Sequence, residues 1–225
     1  MSPIICTVDV VLLTLHDASL HLALLKREHA PFAGVLALPG GYIHAEEDSD
    51  TRDAALRTLR EKTGIGSAYL EQLETFSGPG RDPRGWSLSV AYYALVPSRL
   101  IDHESRPEVV LRPVDQLQGL PFDHPRIVEA ALQRVRNKSS YSSLPVHLCG
   151  ETFTLPRLQG VYEAILGEPI NKVSFRRKIE ELDILEAIEG QLETGKAHRP
   201  AQLYRLKKQY RQHLALTDRG LNSAG

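Results

Sequence analysis

Residues 38–65 have the sequence LPGGYIHAEEDSDTRDAALRTLREKTGI, and the organisation of the rest of the chain follows from this stretch. Two glycines follow a short apolar run, an acidic loop comes next, and an amphipathic segment ends at Gly64. Ser49 or Asp50 can cap a helix here, and Asp53 suits its first turn. A glycine just after the last turn is a common helix end. The spacing therefore predicts a glycine-loop-helix unit.

This unit resembles the Nudix box, a loop-helix-loop motif that binds a divalent metal ion against a nucleoside diphosphate linked to another group. The family pattern is Gly, five residues, Glu, seven residues, then Arg-Glu-apolar-x-Glu-Glu-x-Gly-apolar. Nine residues rather than seven separate Glu47 from Arg57 in this chain. The positions that fit the pattern are Gly41, Glu47, Arg57, Leu59, Glu61, Gly64 and Ile65. On spacing alone, the alternative is an exposed helix with a solvated charged face.

Two positions of the box depart from the pattern, because Thr58 and Lys62 stand where the family has metal-binding glutamates. Positions 58, 61 and 62 project from one face of a helix. Three carboxylates there would form an oxygen cage of the kind that Mg²⁺ accepts, but only Glu61 remains. At about 4 Å and an effective dielectric of about 20, each unit of like charge costs roughly 4 kcal/mol. We therefore expect no metal, no catalytic residue and no required cofactor.

Length and composition suit a two-domain globular protein. The chain has 225 residues, of which 24% are charged and 42% hydrophobic. Its two cysteines, Cys6 and Cys149, have no metal-like spacing and indicate reduced thiols in the cytoplasm. Thr7 and Asp9 interrupt the first apolar segment. That segment predicts a core strand and neither a signal peptide nor a membrane span.

The segments around the box alternate between strand and helix patterns. A helix capped by Asp123 is predicted over residues 125–136. Strands are predicted over residues 4–15, 20–27, 35–38, 69–76 and 87–96, with a hairpin at 16–19. This order suits the α/β/α sandwich that the Nudix resemblance implies.

A polar, small-residue stretch at residues 137–143 marks a domain boundary. We expect a Nudix-like effector-binding domain over residues 1–138, a linker over 139–147, and a second domain over 148–225. The alternative is an ordinary surface loop inside a single domain.

The second domain has the pattern of a winged helix. Thr154 can cap a helix that continues to about residue 166, and Gly167 can end it. A short element over 168–173 precedes a longer helix over 175–188, which Ser174 can cap. A turn-prone stretch and a strand over 201–206 then complete a hairpin.

Positive charge is clustered where a DNA-binding module needs it. Residues 151–225 carry 12 basic and 10 acidic side chains. The start of the longer helix, which would enter the major groove, and the wing together supply the candidate DNA contacts Lys172, Ser174, Arg176, Arg177, Lys178, Lys196, His198 and Arg199. The alternative is that these residues only solvate a helix end.

A weakened Nudix box followed by a basic winged helix resembles the Nudix-related transcriptional regulators, the NrtR family. Further similarity lies in RDPR at residues 81–84, SFRRK at 174–178 and RPAQLYR at 199–205. The family often has Asn in place of Ser174 and Gly in place of His198. The resemblance implies a bacterial, cytoplasmic, homodimeric repressor of genes for NAD synthesis and salvage. It would bind a double-stranded operator and sense ADP-ribose in the Nudix pocket.

Five residues are candidates for binding that effector. Gly40 and Gly41 allow close approach of the backbone, and the arginines Arg57, Arg81 and Arg84 can donate charge-assisted hydrogen bonds to a diphosphate. For Arg81 and Arg84, a solvated loop position or a dimer contact is the alternative.

Two other functions compete with this one. An active Nudix hydrolase of ADP-ribose or another nucleoside diphosphate derivative would need Glu61 together with Glu46, Glu47 or Asp48, and its second domain would serve only for dimerisation. A winged helix that binds RNA or docks a protein would show little discrimination among DNA sequences.

Overall fold

A computed structural model describes residues 3–66, 68–193, 200–211 and 213–216. The chain divides into two units, Met1–His16 with Leu20–Arg134 and Asp17–Ser19 with Val135–Gly225. Within the segment predicted to be a linker, 139–147, a 3-10 helix begins at Leu144 and its apolar side chains are buried. That segment is therefore structured and belongs to the second unit.

The first unit is built on a seven-stranded mixed sheet. Its strands are β1 (Ile5–His16), β2 (Ser19–Lys26), β3 (Leu36–Ala37), β4 (Gly40–Tyr42), β5 (Tyr69–Gly78), β6 (Ser87–Leu95) and β7 (Val109–Pro113). The order is β3-β2-β1-β6-β5, while β4 pairs with β1 and β7 with β2. β1 and β6 run parallel, with Val8 opposite Val90. The box strand β4 pairs antiparallel with β1, on the edge of β1 opposite to β6.

The box helix, α1 (Thr51–Thr63), begins and ends as the sequence predicts. The Asp50 side chain accepts a hydrogen bond from the Asp53 amide at 2.8 Å, and Gly64 ends the helix with a left-handed φ of 83°. The buried face of α1 joins the hydrophobic core through Ala54, Ala55 and Leu59. The helix is thus fixed beside β1 and β4, with its charged face turned outward.

Several elements of the first unit were not predicted. They are β4, β7, and the short helix α2 (Ser98–Glu104). β4 has three residues, two of them glycine, and α2 has no side-chain cap, so neither carries a strong local signal. The last helix of the unit, α3 (His124–Ser139), is longer than the predicted one and continues beyond the division between the units. No helix in the described part of the chain is long and apolar enough to cross a membrane.

The described part of the second unit includes two further α-helices and a three-stranded antiparallel sheet. They are β8 (Phe153–Thr154), α4 (Leu155–Leu166), α5 (Lys172–Leu182), β9 (Leu185–Glu193) and β10 (Ala201–Leu206), with sheet order β8-β10-β9. As predicted, Thr154 caps α4 and Gly167 ends it. The rings of Tyr162 and Phe175 meet edge to face at 5.4 Å, which joins α4 to α5 in the core.

The limits predicted for α5 were wrong. Asn171, rather than Ser174, caps it, since the Asn171 side chain accepts hydrogen bonds from the Val173 and Ser174 amides at 3.0 and 3.1 Å. The helix ends at Leu182 because Asp183 adopts a left-handed conformation. The following residues, predicted to be helical up to 188, instead form β9 and pair with β10.

Candidate functional site

A cavity of about 850 Å³ opens in the first unit beside β1 and β4. Its volume lies in the range of small-molecule sites, roughly 300–1,000 Å³. Four of the five predicted ligand-binding residues line it, and Arg57 is not among the described residues that do. The lysine and arginine side chains among its described lining residues are Lys26, Arg27, Lys62, Arg81, Arg84 and Arg106. Five carboxylates also line it, those of Asp9, Glu28, Glu61, Asp82 and Glu108, so the six cations are in slight excess and favour an anionic ligand of nucleotide size.

A buried carboxylate, that of Asp9, lines this cavity and is 7% exposed. One of its oxygens accepts hydrogen bonds from the Ser89 hydroxyl at 2.7 Å and from Arg81 at 3.4 Å. His124 Nε2 lies 3.5 Å from the other oxygen. His124 Nδ1 accepts a hydrogen bond from the Leu38 amide, which leaves the Nε2 proton facing Asp9. Burial raises the pKa of Asp9, but the interactions with His124, Ser89 and Arg81 outweigh burial and hold it below its usual value.

Arg81 links two buried acids across the fold. Its guanidinium donates to both oxygens of Asp123 at 3.1 and 3.0 Å, to Asp9 at 3.4 Å, and to the Ser87 hydroxyl at 3.3 Å. The side chains of Arg81 and Asp9 are 8% and 9% exposed. Because these donors are engaged inside the protein, the arrangement gives Arg81 a structural role beside its predicted contact with a ligand.

Arg84 is held in a similar way at the wall of the cavity. It donates from Nε and Nη2 to the Asp82 carboxylate at 3.0 and 2.6 Å and from Nη1 to the Tyr42 hydroxyl at 2.6 Å. Burial raises the pKa of Asp82, but hydrogen bonds from Arg84 hold it below its usual value. The Tyr42 ring also lies 5.6 Å from the Arg84 guanidinium and is 50% exposed. Tyr42 is thus an aromatic surface that a ligand can reach.

Arg57 binds the acidic loop of the box. It donates two hydrogen bonds of 2.8 Å to the Asp48 carboxylate, one of 3.0 Å to the Tyr42 carbonyl, and one of 3.4 Å to Glu61. The hydrogen bonds from Arg57 lower the pKa of Asp48 to about 2. The predicted diphosphate contact for Arg57 has no support in this geometry, because the guanidinium is engaged by the loop and lies outside the cavity lining.

The two glycines of the box serve different neighbours. A Cβ on Gly40 would lie 2.2 Å from Asp9 Oδ1 and 3.0 Å from the Val8 carbonyl oxygen. A Cβ on Gly41 would lie 3.4 Å from its nearest neighbour, Thr58 Oγ1. Gly40 therefore makes room for the buried carboxylate of Asp9, in addition to any approach of a ligand.

The positions that hold metal in the Nudix box do not fit a metal ion here. Thr58 is 1% exposed, and its hydroxyl has no hydrogen-bond partner among the described residues. Glu61 and Lys62 line the cavity side by side. Within the described part of the chain there is no group of three or more His, Cys, Asp or Glu side chains that could hold a metal ion. One carboxylate beside an ammonium is a poor site for a hard dication.

Several residues that line the cavity were missed from the sequence. They are Asp9, Arg27, Tyr42, Arg106, Phe122 and His124. Asp9 had a signal, since it is a charged residue within an apolar strand. Of the others, His124 begins α3 and the rest lie on loops or at short strands, as in the stacking of Arg27 over the Phe122 ring at 4.8 Å. Such pairings depend on the tertiary fold and leave no local pattern.

The lowered pKa values of Asp9 and Asp82 predict acid sensitivity of the first unit. A carboxyl whose pKa is lower in the folded state stabilises the fold above its unfolded value, and that stability is lost as the pH falls through the folded value. We expect the free energy of unfolding to be level above about pH 5 and to fall below about pH 4. Urea denaturation, followed by fluorescence of Trp86, the single tryptophan, measures it. If the free energy of unfolding of Asp82→Asn fell as steeply below pH 4 as that of the parent, Asp82 would not be a source of the acid sensitivity.

The predicted DNA contacts on α5 divide into exposed and buried groups. Lys172, Arg176 and Arg177 are exposed, and Ser174 is half-buried in the first turn. Arg177 lies 3.8 Å from Glu181, one turn further along the same face. The position of Lys178 differs from its predicted role as a DNA contact. The residue is 6% exposed and lies on the buried face with Phe175 and Ile179, so this structure does not present it to DNA.

The wing is described only in part. β9 and β10 form its two strands, as the hairpin of a winged helix requires. The predicted DNA contacts Lys196, His198 and Arg199 lie outside the described residues.

Comparison with known proteins identifies both units. A NUDIX domain matches residues 7–132, and the NrtR DNA-binding winged helix domain matches residues 145–206. The ADPR responsive transcriptional repressor NtrR of Acinetobacter baylyi is 39% identical over 207 residues, which are 90% of this chain and 82% of that protein. The predicted fold class, a Nudix domain followed by a winged helix, is confirmed.

Two solved structures are also similar. Shewanella oneidensis NrtR in complex with a 27mer DNA is 38% identical, with a TM-score of 0.89 over 96% of this chain and 98% of that one. The NUDIX domain of the same protein in complex with ADP ribose is 35% identical, with a TM-score of 0.55 over 60% of this chain and 90% of that one. With the extent of these matches and the two domain assignments, the chain belongs to the NrtR family, in which a Nudix domain is joined to a DNA-binding winged helix.

Proposed function

We propose that this protein is a bacterial transcriptional repressor whose Nudix domain senses ADP-ribose and does not hydrolyse it. The genes it controls are those of NAD synthesis and salvage, as the family resemblance implies. The observation that carries the proposal is a nucleotide-sized cavity, lined by six cations and five carboxylates, at a box that has Thr58 and Lys62 at its metal positions. The Acinetobacter relative is an ADPR responsive repressor, and the two Shewanella complexes contain DNA and ADP ribose, which supports the same two ligands for this protein.

The winged helix supplies the DNA contacts. Lys172, Arg176 and Arg177 are exposed in the first turns of α5, the part of a recognition helix that reaches base edges and phosphates. Arginine can bind the O6 and N7 atoms of guanine with two hydrogen bonds, which gives sequence discrimination. The predicted contacts on the wing, Lys196, His198 and Arg199, remain part of the proposal.

Hydrolysis would need acids of the box loop close to Glu61. The competing enzyme requires Glu46, Glu47 or Asp48 beside Glu61, and none of these three loop acids lines the cavity. Asp48 is also held by Arg57. We expect no turnover of ADP-ribose under Mg²⁺ or Mn²⁺. Robust turnover that Glu61→Gln abolishes would overturn the sensor and establish the hydrolase.

Regulation follows from linked equilibria. We propose a cytoplasmic homodimer with two arrangements, one of which spaces its winged helices to match operator half-sites about one helical turn, or a multiple, apart. ADP-ribose favours the other arrangement and so releases the DNA. A ligand shifts such an equilibrium only by its difference in affinity for the two states, so the effect of ADP-ribose on DNA affinity measures the coupling.

Fluorescence anisotropy tests the function. The duplexes are promoter fragments of the NAD-synthesis genes of the source organism, at fixed salt, with and without ADP-ribose. Specific binding that ADP-ribose relieves establishes the sensor-repressor. Specific binding that is indifferent to ADP-ribose retains the regulator and removes the effector. Absence of specific binding rejects the repressor and directs attention to an RNA or a protein as the partner of the winged helix.

Arg177→Ala is expected to weaken specific DNA binding by about 1–3 kcal/mol and to relax discrimination at one base position, if Arg177 contacts a base edge. Arg136→Ala, which removes an exposed arginine from α3, is the control and is expected to retain the affinity of the parent protein. Anisotropy on the parent operator and on single-base variants makes the measurement. Equal affinity of the Arg177→Ala variant and the parent would reject the assignment of this residue.

A further inference from the structure

We propose that Lys62 and Arg106 take the place of the metal ion, so that ADP-ribose binds through its diphosphate without a divalent cation. This inference rests on the proposed function of the cavity as an effector site. It assigns the diphosphate to a pair of cations that differ from the arginines of the sequence prediction.

The backbone brings the two segments that carry these cations together at the end of α1. Lys62 lies in the last turn of α1, and the Arg106 amide donates a 2.8 Å hydrogen bond to the carbonyl of the adjacent Thr63. The close approach depends on Gly64, where a Cβ would lie 2.4 Å from the Glu104 carbonyl oxygen. Both side chains line the cavity.

These two cations are available to a ligand. The ion pairs of the described residues include neither Lys62 nor Arg106, although the carboxylates of Glu61 and Glu108 line the same cavity. By contrast, the three arginines of the sequence prediction are each bound to at least one aspartate: Arg57 to Asp48, Arg81 to Asp9 and Asp123, and Arg84 to Asp82. A ligand phosphate would have to compete with those aspartates, whereas Lys62 and Arg106 are held by no such ion pair.

Charge on the helix face leads to the same assignment. The family pattern places three glutamates there, which a diphosphate can approach only after a dication has cancelled most of their negative charge. In this chain Thr58 is neutral and the charges of Glu61 and Lys62 cancel, so the face needs no ion to accept a dianion. A lysine ammonium binds phosphate as a point charge, and an arginine adds a directed fork of donors. Lys62, which disfavours a metal ion, therefore supplies positive charge that the ion would have placed beside the diphosphate.

Isothermal titration calorimetry with ADP-ribose tests this assignment on the full-length protein. Each variant is titrated in EDTA and in MgCl₂ at matched ionic strength. The parent is expected to bind with the same affinity in both buffers. Lys62→Gln and Arg106→Gln are each expected to weaken binding about tenfold in both buffers, because a phosphate loses a charged partner. Arg60→Gln, which removes a charge from the exposed side of the same helix, is expected to bind like the parent.

Lys62→Glu gives the sharpest outcome. It is expected to weaken binding in EDTA more than Lys62→Gln does, and Mg²⁺ is expected to recover part of the loss, because two adjacent carboxylates can again hold an ion. A parent protein that binds ADP-ribose only with Mg²⁺, or Lys62→Gln binding like the parent, would overturn the inference and leave the sensor intact. A parent that binds ADP-ribose in neither buffer would overturn the effector itself.

Discussion

Replacing Arg81 with leucine is expected to lower the free energy of unfolding of the Nudix domain by about 3–5 kcal/mol. The substitution leaves the carboxylates of Asp9 and Asp123 without their common guanidinium. Both carboxylates are 9% exposed, so neither can recover its lost partner from bulk water. Removing one partner of a buried ion pair costs more than the pair itself contributes, because an uncompensated charge stays behind.

The remaining contacts of Asp9 set the size of this loss. Ser89 and His124 continue to hold that carboxylate, whereas Arg81 provides both of the hydrogen bonds described for the side chain of Asp123. Protonation of Asp9 removes the charge that Arg81 balances, so the part of the deficit that comes from Asp9 is expected to shrink at low pH, where the parent is itself less stable.

Urea denaturation followed by the fluorescence of Trp86 measures this loss, because the single tryptophan lies in the first unit. Arg60→Leu is the matched control: Arg60 is exposed on α1 of the same unit, and a surface arginine contributes about 0–1 kcal/mol. Equal midpoints for the two variants would show that the buried pairs contribute little.

Gly40→Ala is expected to destabilise the same domain by about 3 kcal/mol and to impair ADP-ribose binding. The new methyl group would lie 2.2 Å from Asp9 Oδ1, and that carboxylate cannot turn away without giving up Ser89, His124 and Arg81. Retreat of the backbone is also blocked, since the Val8 carbonyl oxygen lies 3.0 Å from the same point. The clash must therefore displace either the carboxylate network or the strand β4 that lines the cavity.

Gly41→Ala provides the control for Gly40→Ala within the same strand. Its methyl group would meet only Thr58 Oγ1 at 3.4 Å, so the expected loss is below about 1 kcal/mol. The free energy of unfolding and the affinity for ADP-ribose are measured for both variants. If Gly41→Ala proves as damaging as Gly40→Ala, backbone conformation rather than room for Asp9 explains the pair of glycines.

Local signals predicted the parts of the fold that local chemistry determines. Asp50 and Gly64 mark the ends of the box helix, and Thr154 and Gly167 mark the ends of α4, because a cap acts on the residues beside it. The start of α5 was misplaced since Asn171 and Ser174 are both good caps, and only the fold selects between them. Helical spacing also extended α5 over residues whose pairing with β10 makes them a strand.

The cavity could be predicted in part. The glycines and the arginines of the RDPR segment, predicted to bind the ligand, line it, and so does Lys62, which was predicted only to disfavour a metal ion. The partners of those arginines could not be predicted, because Arg81 meets Asp9 across 72 positions of the chain and Asp123 across 42. The sequence shows that an arginine is near a loop that could bind phosphate, but only the fold shows whether a carboxylate already binds its guanidinium.

The burial of Thr58 bears on how such a domain can evolve. A glutamate returned to this position would have to fit a longer, ionised side chain into a site that is 1% exposed and faces Gly41. Burial of an unpaired carboxylate is strongly unfavourable, so neighbouring residues would have to change first. Conversion of the box to the family pattern one residue at a time would therefore pass through a less stable protein, and the packing around Thr58 opposes a glutamate at this position.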